Sequence, residues 1–366
     1  MEISWEQALA WRMRRHYLIE RASPDDLSAV VDRLDGLHAQ VMSSVDLALW
    51  ARIDGLKKDA VADALWRRRT LVKMWAMRAT LHVLPAAGVG TWIAGFGIWK
   101  PGVWPLKDAA AGPLAGYIDK ALRGKILTRT ELAAAVTKLG ATPKMVEGML
   151  GSWGGSLKQA SFSGFVCFAP NEGAEVRFTH PATWLRKPPA RLDPDKAFVL
   201  LTKRYLGAYG PATARDLGHW WGINQGHAKR RLAAIGDVTT EVSIDGERYL
   251  MLTTDVADLA AAEPMNVVRL LPAFDQWVVC ASRRVPALLD PKYRQLIYRL
   301  QGWVSPVLLV NGHMAGVWKH EHKGRTLSVE VSPFAKLPRW TRPHIAAEAE
   351  RLAAFFGGDL KLTIQR

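Results

Sequence analysis

The chain has 366 residues, with 49 Lys or Arg against 34 Asp or Glu and a formal charge of +15. Hydrophobic residues make up 49% and charged residues 23%, a balance that forms a core and excludes an intrinsically disordered chain. Two cysteines, Cys167 and Cys280, exclude a disulfide scaffold and a cysteine-rich zinc site.

The length suits two or three domains. The N-terminal MEISWEQALAWRMRRHY is amphipathic and charged throughout, without the apolar stretch and small-residue site of a secretion signal. The expected location is therefore the cytoplasm, in association with the nucleoid. The longest charge-poor stretch, Leu81 to Trp99, carries Pro85 and several glycines, which suits buried protein better than a membrane span. A surface this basic attracts polyanions, DNA foremost among them.

The first third reads as helical. Ser23 is placed to cap a helix with Pro24 in its first turn, and Leu27, Val30, Val31, Leu34 and Leu37 recur at helical spacing. Ser43-Ser44 precedes a second apolar run, Val45 to Ile53, and a third helix runs from Lys57 to Arg69. Thr70 to His82 alternates like one or two strands. Helices followed by a small sheet outline a winged helix.

That outline repeats twice. Thr128 to Glu131 forms a capping box for a helix through Leu139, and a turn at Gly140–Pro143 leads to a helix from Lys144. Phe162 to Thr179 then reads as a hairpin around Pro170-Asn171-Glu172-Gly173. In the third copy, Ala197–Ala208 and Ala214–Trp221 are helices, Gly222-Ile223-Asn224 is a turn, and Gln225–Ile235 is a short basic helix. A hairpin from Val242 to Leu252 comes next, turning at Asp245-Gly246. A short basic helix with a wing behind it is how this motif reads a DNA groove.

The last hundred residues change to short β-type runs: Val267–Pro272, Trp277–Cys280, Pro306–Val310, Ala315–Trp318 and Thr326–Val331. Asn311-Gly312 marks a hairpin, and a helix runs from Arg342 to Phe356. The hairpin after Trp318 is expected to carry Lys319, His320, His322, Lys323 and Arg325 at its tip. The expected fold class is α+β: three tandem winged-helix motifs and a C-terminal antiparallel β-sheet or barrel. The expected boundaries are 1–115 for a first winged-helix region with the catalytic motif, 116–192 and 193–262 for the second and third, and 263–366 for the β-rich part.

The sequence contains no phosphate-cradling GxxxxGK[ST], GxGxxG, HExxH or GxSxG. His313, His320 and His322 lack a fourth ligand at zinc-site spacing, so neither a metal nor a cofactor is expected. Catalysis then rests on a water held by polar side chains. His38 and Gln40 lie two residues apart at the end of a predicted helix, with Ala39 between them. In an extended stretch, such residues point the same way and can hold one water. Ordinary capping or solvated roles fit the same two residues.

Several segments resemble, in order, the AlkZ-like family of bacterial winged-helix DNA glycosylases. They are Gly36-Leu-His-Ala-Gln40 with Leu47-Ala-Leu-Trp-Ala-Arg52, Met77-Arg-Ala-Thr-Leu-His82, Tyr205–Thr213 with Trp220, Val268-Arg-Leu-Leu-Pro-Ala-Phe-Asp275, and Gly312–Trp318. The resemblance spans nearly the whole chain. It implies removal of bulky alkylated purines and self-resistance in producers of DNA-alkylating antibiotics. It also implies that His38 and Gln40 occupy the catalytic positions, where the family pattern is Gln-x-Gln, His-x-Gln or Gln-x-Asp. Two departures are visible: Val41-Met42 replaces the commoner Asp-Pro, and Ala79 stands where glycine is usual.

Alkylation at purine N7 or N3 makes the base a cationic leaving group, so the protein has only to orient a water at C1′ and stabilise positive charge on the sugar. Gln40 is expected to hold that water and neutral His38 to accept its hydrogen bond or proton. Activity should then fall below the ordinary histidine value near 6.5. No lysine is marked by context as a Schiff-base nucleophile, so lyase activity is not expected. The expected partner is double-stranded DNA containing alkylated purines, with crosslinks among the substrates. No membrane and no obligate protein partner are expected, and the chain is expected to act as a monomer. Candidate DNA contacts are Arg67, Arg68, Arg69, Arg78, Lys229, Arg230, Arg231, Lys319, His320, Lys323 and Arg325. Most of the sixteen tryptophans are expected in the core, with one or two available to stack on DNA. The alternative is a non-catalytic winged-helix DNA-binding regulator, which the absence of a dimerisation helix opposes.

Overall fold

The computed structural model describes residues 1–99, 111–151, 155–282 and 285–365. The chain forms two compact units. The first comprises Met1–Val61, Arg204–Leu217 and Ile235–Arg366, and the second Ala62–Lys203 and Gly218–Ala234. No helix among the described residues is long and apolar enough to cross a membrane.

The first unit opens with helix Trp5–Arg15, whose Ser4 and Gln7 form a capping box. Ser23 and Pro24 start a short 3-10 turn, Pro24–Asp26, that leads into helix Leu27–Arg33. The run expected from Val45 begins earlier, as helix Met42–Trp50. The C-terminal part is a five-stranded sheet, ordered Asp359–Ile364, Thr326–Pro333, His313–Lys323, Val307–Val310 and Val268–Leu271.

That sheet corrects three expectations. It is open, not a barrel. It is not wholly antiparallel, because Asp359–Ile364 pairs parallel to Thr326–Pro333. Helix Thr341–Phe356 ends at Gly357 in left-handed conformation, and the chain doubles back along the sheet. Finally, Ala315–Trp318 belongs to a strand that continues to Lys323. Lys319, His320, His322 and Lys323 therefore lie along the strand, and the turn is left to Gly324 and Arg325. The hairpin Thr239–Ile244 with Glu247–Leu252 turns at Asp245-Gly246, both at positive φ as a tight turn requires.

In the second unit, hairpin Leu71–Trp75 with Leu81–Pro85 fits the alternation read in the sequence. Its turn holds Arg78 and Ala79 at φ 55° each. Left-handed backbone favours glycine, so both side chains hold an uncommon conformation there. The expected helix from Lys57 to Arg69 is short, Ala60–Ala62, and continues as a π-type turn over Asp63–Arg67. Thr128 and Glu131 form the expected capping box on helix Arg129–Lys138, and helix Pro143–Leu150 comes after it. The hairpin Cys167–Glu172 with Glu175–Thr179 turns at Gly173, the last residue of the turn expected over Pro170-Asn171-Glu172-Gly173.

Helix Ala214–Trp221 and helix Gln225–Ala233 are joined by a tight turn. Asn224 Oδ1 caps the second helix by accepting from the His227 N–H at 2.9 Å. A Cβ at Gly218 would lie 2.8 Å from the Ile223 carbonyl oxygen, so the turn requires glycine there. The core of the second unit is aromatic. Trp92, Phe96, Trp99, Phe162, Phe198, Trp220 and Trp221 interlock with ring centroids 4.7–6.4 Å apart, within the range of favourable ring pairs.

Candidate active site

The segment with His38 and Gln40 lies in the first unit and begins where helix Leu27–Arg33 stops. Gly36 N–H donates to the Val31 carbonyl at 3.0 Å, and Leu34 N–H to that of Val30 at 3.1 Å. Asp35 and Gly36 are left-handed, at φ 54° and 90°. Such a bond pattern closes a helix and turns the chain sharply, and aspartate and glycine are residues that accept the conformation.

Three side chains fix that turn. Arg204 Nε donates to Asp35 Oδ1 at 2.6 Å, and its Nη2 donates to the Asp32 carbonyl at 2.6 Å and to Asp32 Oδ1 at 2.8 Å. The Tyr209 hydroxyl donates to the Leu34 carbonyl at 2.7 Å. Gln276 Nε2 donates to the Gly36 carbonyl at 2.6 Å. Burial pushes the Asp35 carboxyl up, against the opposing pull of the Arg204 guanidinium.

Beyond the turn the chain is extended over Leu37–His38, and Leu37, His38 and Ala39 are buried. Gln40 is exposed, in a bend before helix Met42–Trp50. The two-residue alternation expected of an extended stretch therefore stops before Gln40.

The His38 imidazole stacks on Phe274, with centroids 4.9 Å apart and planes 9° from parallel. Phe274 is left-handed at φ 58°, an uncommon conformation for a bulky residue, and is followed directly by Asp275. Asp275 Oδ1 caps a short helix, Gln276–Val279, by accepting from the Trp277 N–H at 2.9 Å. The same carboxylate receives both arms of Arg52, Nη1 to Oδ2 at 2.7 Å and Nη2 to Oδ1 at 2.8 Å, with both side chains fully buried. Arg52 Nη1 also donates to the Ala48 carbonyl at 2.8 Å, which ties the pair to helix Met42–Trp50. One buried ion pair thus fixes Phe274 on one side of Asp275, against the His38 ring, and Gln276 on the other, behind Gly36. The β-type run expected over Trp277–Cys280 is helical because the Asp275 cap overrides the β preference of its valines.

Sequence reasoning missed this support, and it missed Asp46. Burial pushes the Asp46 carboxyl up to about 6, with Lys58 opposing. The signal was present: Asp46 is the only charged residue of the apolar run between Gln40 and Arg52.

The candidate DNA contacts divide by environment. In the second unit, Arg67 and Arg68 are 80% and 51% exposed and share Asp63 as a partner. Lys229 and Arg230 are exposed on helix Gln225–Ala233. Arg231 pairs with Asp195 and lies over the Phe198 ring. Arg69 donates to the Trp184 carbonyl at 3.1 Å and covers its ring at 4.1 Å. Arg78 donates to the Trp220 carbonyl at 2.6 Å. Arg69 and Arg78 are thus committed to backbone carbonyls within the unit, whereas Arg231 is paired with an exposed aspartate.

In the first unit, Lys319 pairs with Glu330 at 2.8 Å, Lys323 with Glu321 at 2.7 Å and Arg325 with Asp359 at 3.7 Å, all largely exposed. His320 lies between the rings of Trp318 and Phe356. Burial, then the nearby His322, lowers its pKa.

The family described as DNA glycosylase AlkZ-like matches residues 31–355. A curated protein of Streptomyces sahachiroi, the "Interstrand DNA cross-link repair glycosylase", is 34% identical over 379 aligned positions, covering 98% of this chain and 98% of that protein. The solved structure of the Streptomyces sahachiroi DNA glycosylase AlkZ superposes with a TM-score of 0.88 at 33% identity, covering all of both chains.

Proposed function

Because the chain belongs to the AlkZ-like DNA glycosylase family, we propose that it is a monofunctional glycosylase that hydrolyses the N-glycosidic bond of cationic N7- or N3-alkylpurines in duplex DNA. Bulky adducts are the substrate class we favour. Crosslink unhooking is part of the proposal, since the Streptomyces sahachiroi relative is named for interstrand cross-link repair. The helix–turn–helix and hairpin segments are read as winged helices that grip the duplex, in a chain acting as a monomer.

The observation that carries the reading is the rigid mounting of His38 next to an exposed Gln40. The ring is held against Phe274, and the turn before it is clamped by Arg204, Tyr209 and Gln276. Preorganisation of this kind is what a water-directing site requires. The bond from C1′ to the purine nitrogen breaks with its electron pair, which neutralises the cationic base and leaves an oxocarbenium-like sugar. Water held by the Gln40 amide oxygen adds at C1′, and its proton passes to neutral His38. Protonated His38 would neither accept that proton nor tolerate the cationic sugar.

The test is incubation with duplex containing N7-alkylguanine, followed by alkali. Strand breaks at the adduct that disappear in Gln40→Ala, with DNA binding retained, support the assignment. Undiminished breaks with Gln40→Ala refute it.

A further inference from the structure

Among the described residues, one tryptophan is exposed, Trp303 at 44%, and the most exposed large hydrophobic side chain is its neighbour Leu300 at 91%. Both sit on one built turn of the first unit. Tyr298 and Val304 bridge antiparallel. Arg299 N–H donates to the Trp303 carbonyl at 2.9 Å, and Trp303 N–H to that of Leu300 at 3.4 Å. Between them Gln301 and Gly302 are left-handed, at φ 59° and 77°, the pair of conformations that makes the tightest hairpin turn. The base is anchored twice more. Ser305 N–H donates to the Ile297 carbonyl at 2.9 Å, and the Tyr298 hydroxyl donates to the Val278 carbonyl at 2.9 Å.

The turn abuts the candidate site through aromatic contacts. Trp303 meets the edge of Phe274, centroids 5.0 Å apart, and Phe274 is the ring stacked on His38. Leu300 is held almost wholly in water on a stiff turn, and the indole of Trp303 leaves nearly half its surface to solvent, exposure that the fold itself does not call for. Two side chains are too small a patch for a stable protein interface, which needs roughly 800 Å² on each partner. They match the apolar wedges that enter base steps, and the exposed Arg299 supplies positive charge for a flanking phosphate.

Resting on the proposed reading that this unit acts on duplex DNA, we propose that turn 300–303 is a wedge into the base stack beside His38, with Leu300 inserted and Trp303 stacked on a base. It opens the stack at the lesion without requiring a bulky adduct to leave the helix.

The test uses a short duplex with a tetrahydrofuran abasic analogue and 2-aminopurine as the adjacent base, whose fluorescence rises when its neighbours unstack. Wild-type protein at saturation is expected to raise that signal. Leu300→Ser and Trp303→Ala are expected to lose most of the rise and to weaken binding roughly 5- to 100-fold, as for removal of a stacking or wedge contact. Leu300→Met is expected to keep the rise. Far-ultraviolet circular dichroism of the free proteins should match wild type, and so should the thermal midpoint of Leu300→Ser, whose side chain is 91% exposed. A full rise with Leu300→Ser at saturation overturns the wedge. A change in the sedimentation of the free protein with either variant, from a larger species to a monomer, also overturns it in favour of a protein contact. Base release from N7-alkylguanine duplex is measured in parallel. Its absence in wild type refutes the glycosylase reading, while the fluorescence still decides the wedge.

Discussion

Asp275→Ala removes one half of the buried bidentate ion pair that supports the His38 segment. Arg52 and Asp275 are both fully buried, so the variant leaves an uncompensated guanidinium in the core. Breaking such a pair by removing one partner costs about 3–5 kcal/mol, and loss of the cap on Trp277 N–H adds about 1 kcal/mol. Set against the roughly 5–15 kcal/mol that holds ordinary domains together, that is a large fraction of the total. At roughly 2–4 °C per kcal/mol, the thermal midpoint should fall by about 8–24 °C. The double variant Arg52→Met with Asp275→Ala removes the stranded charge and should recover about 1–3 kcal/mol of the loss. Urea denaturation followed by tryptophan fluorescence reads these proteins and Arg52→Met alone, four in all. The support also fixes Phe274 and Gln276, so base release by the folded fraction of Asp275→Ala should drop as well. A cost below about 1 kcal/mol, or strictly additive single variants, refutes the ion pair as the mounting of the site.

Three further outcomes are expected. The Asp46 carboxyl is held near 6 in the folded chain and falls to its ordinary value when unfolded, so the folded chain keeps a proton that the unfolded chain has released between about pH 4 and pH 6. Its contribution to stability is complete below about pH 4 and lost as pH rises through 6. Asp46→Asn should therefore gain about 1–3 kcal/mol relative to wild type on going from acid to about pH 7.5, measured by urea titration at each pH, and an equal difference at both ends refutes it. His38→Gln keeps a hydrogen-bond acceptor beside Gln40 and should keep base release, whereas His38→Ala should slow it by about 100-fold in the same release assay; a wild-type rate with His38→Ala removes His38 from the site. Lys229→Ala should lower the slope of log affinity against log salt by about 0.9 for one lost phosphate contact, read by fluorescence anisotropy, and an unchanged slope removes Lys229 from the interface.

Local punctuation made much of the fold legible. The Thr128–Glu131 box, the Asn224 turn, Asp245-Gly246 and Asn311-Gly312 each do in the structure what their chemistry demands. The open, mixed sheet was not legible, because its last strand is set by a reversal at Gly357 and by pairing with Thr326–Pro333, distant partners that no local pattern encodes. The candidate site was half legible. His38 and Gln40 stood out by spacing and resemblance. Phe274, Asp275, Gln276, Arg204 and Tyr209 lie far along the chain, and only the fold brings them to the turn at Gly36. Basic residues were the least informative, since sequence does not distinguish the exposed Arg230 from Arg69 and Arg78, which are committed to backbone carbonyls.

The most direct measurement is single-turnover release of free alkylated guanine from duplex DNA, quantified by chromatography for wild type and Gln40→Ala at saturating protein. A rate that drops by about 100-fold or more, with an unchanged dissociation constant for the same duplex, is the predicted result for a group that directs the attacking water. Equal rates for the two proteins contradict it.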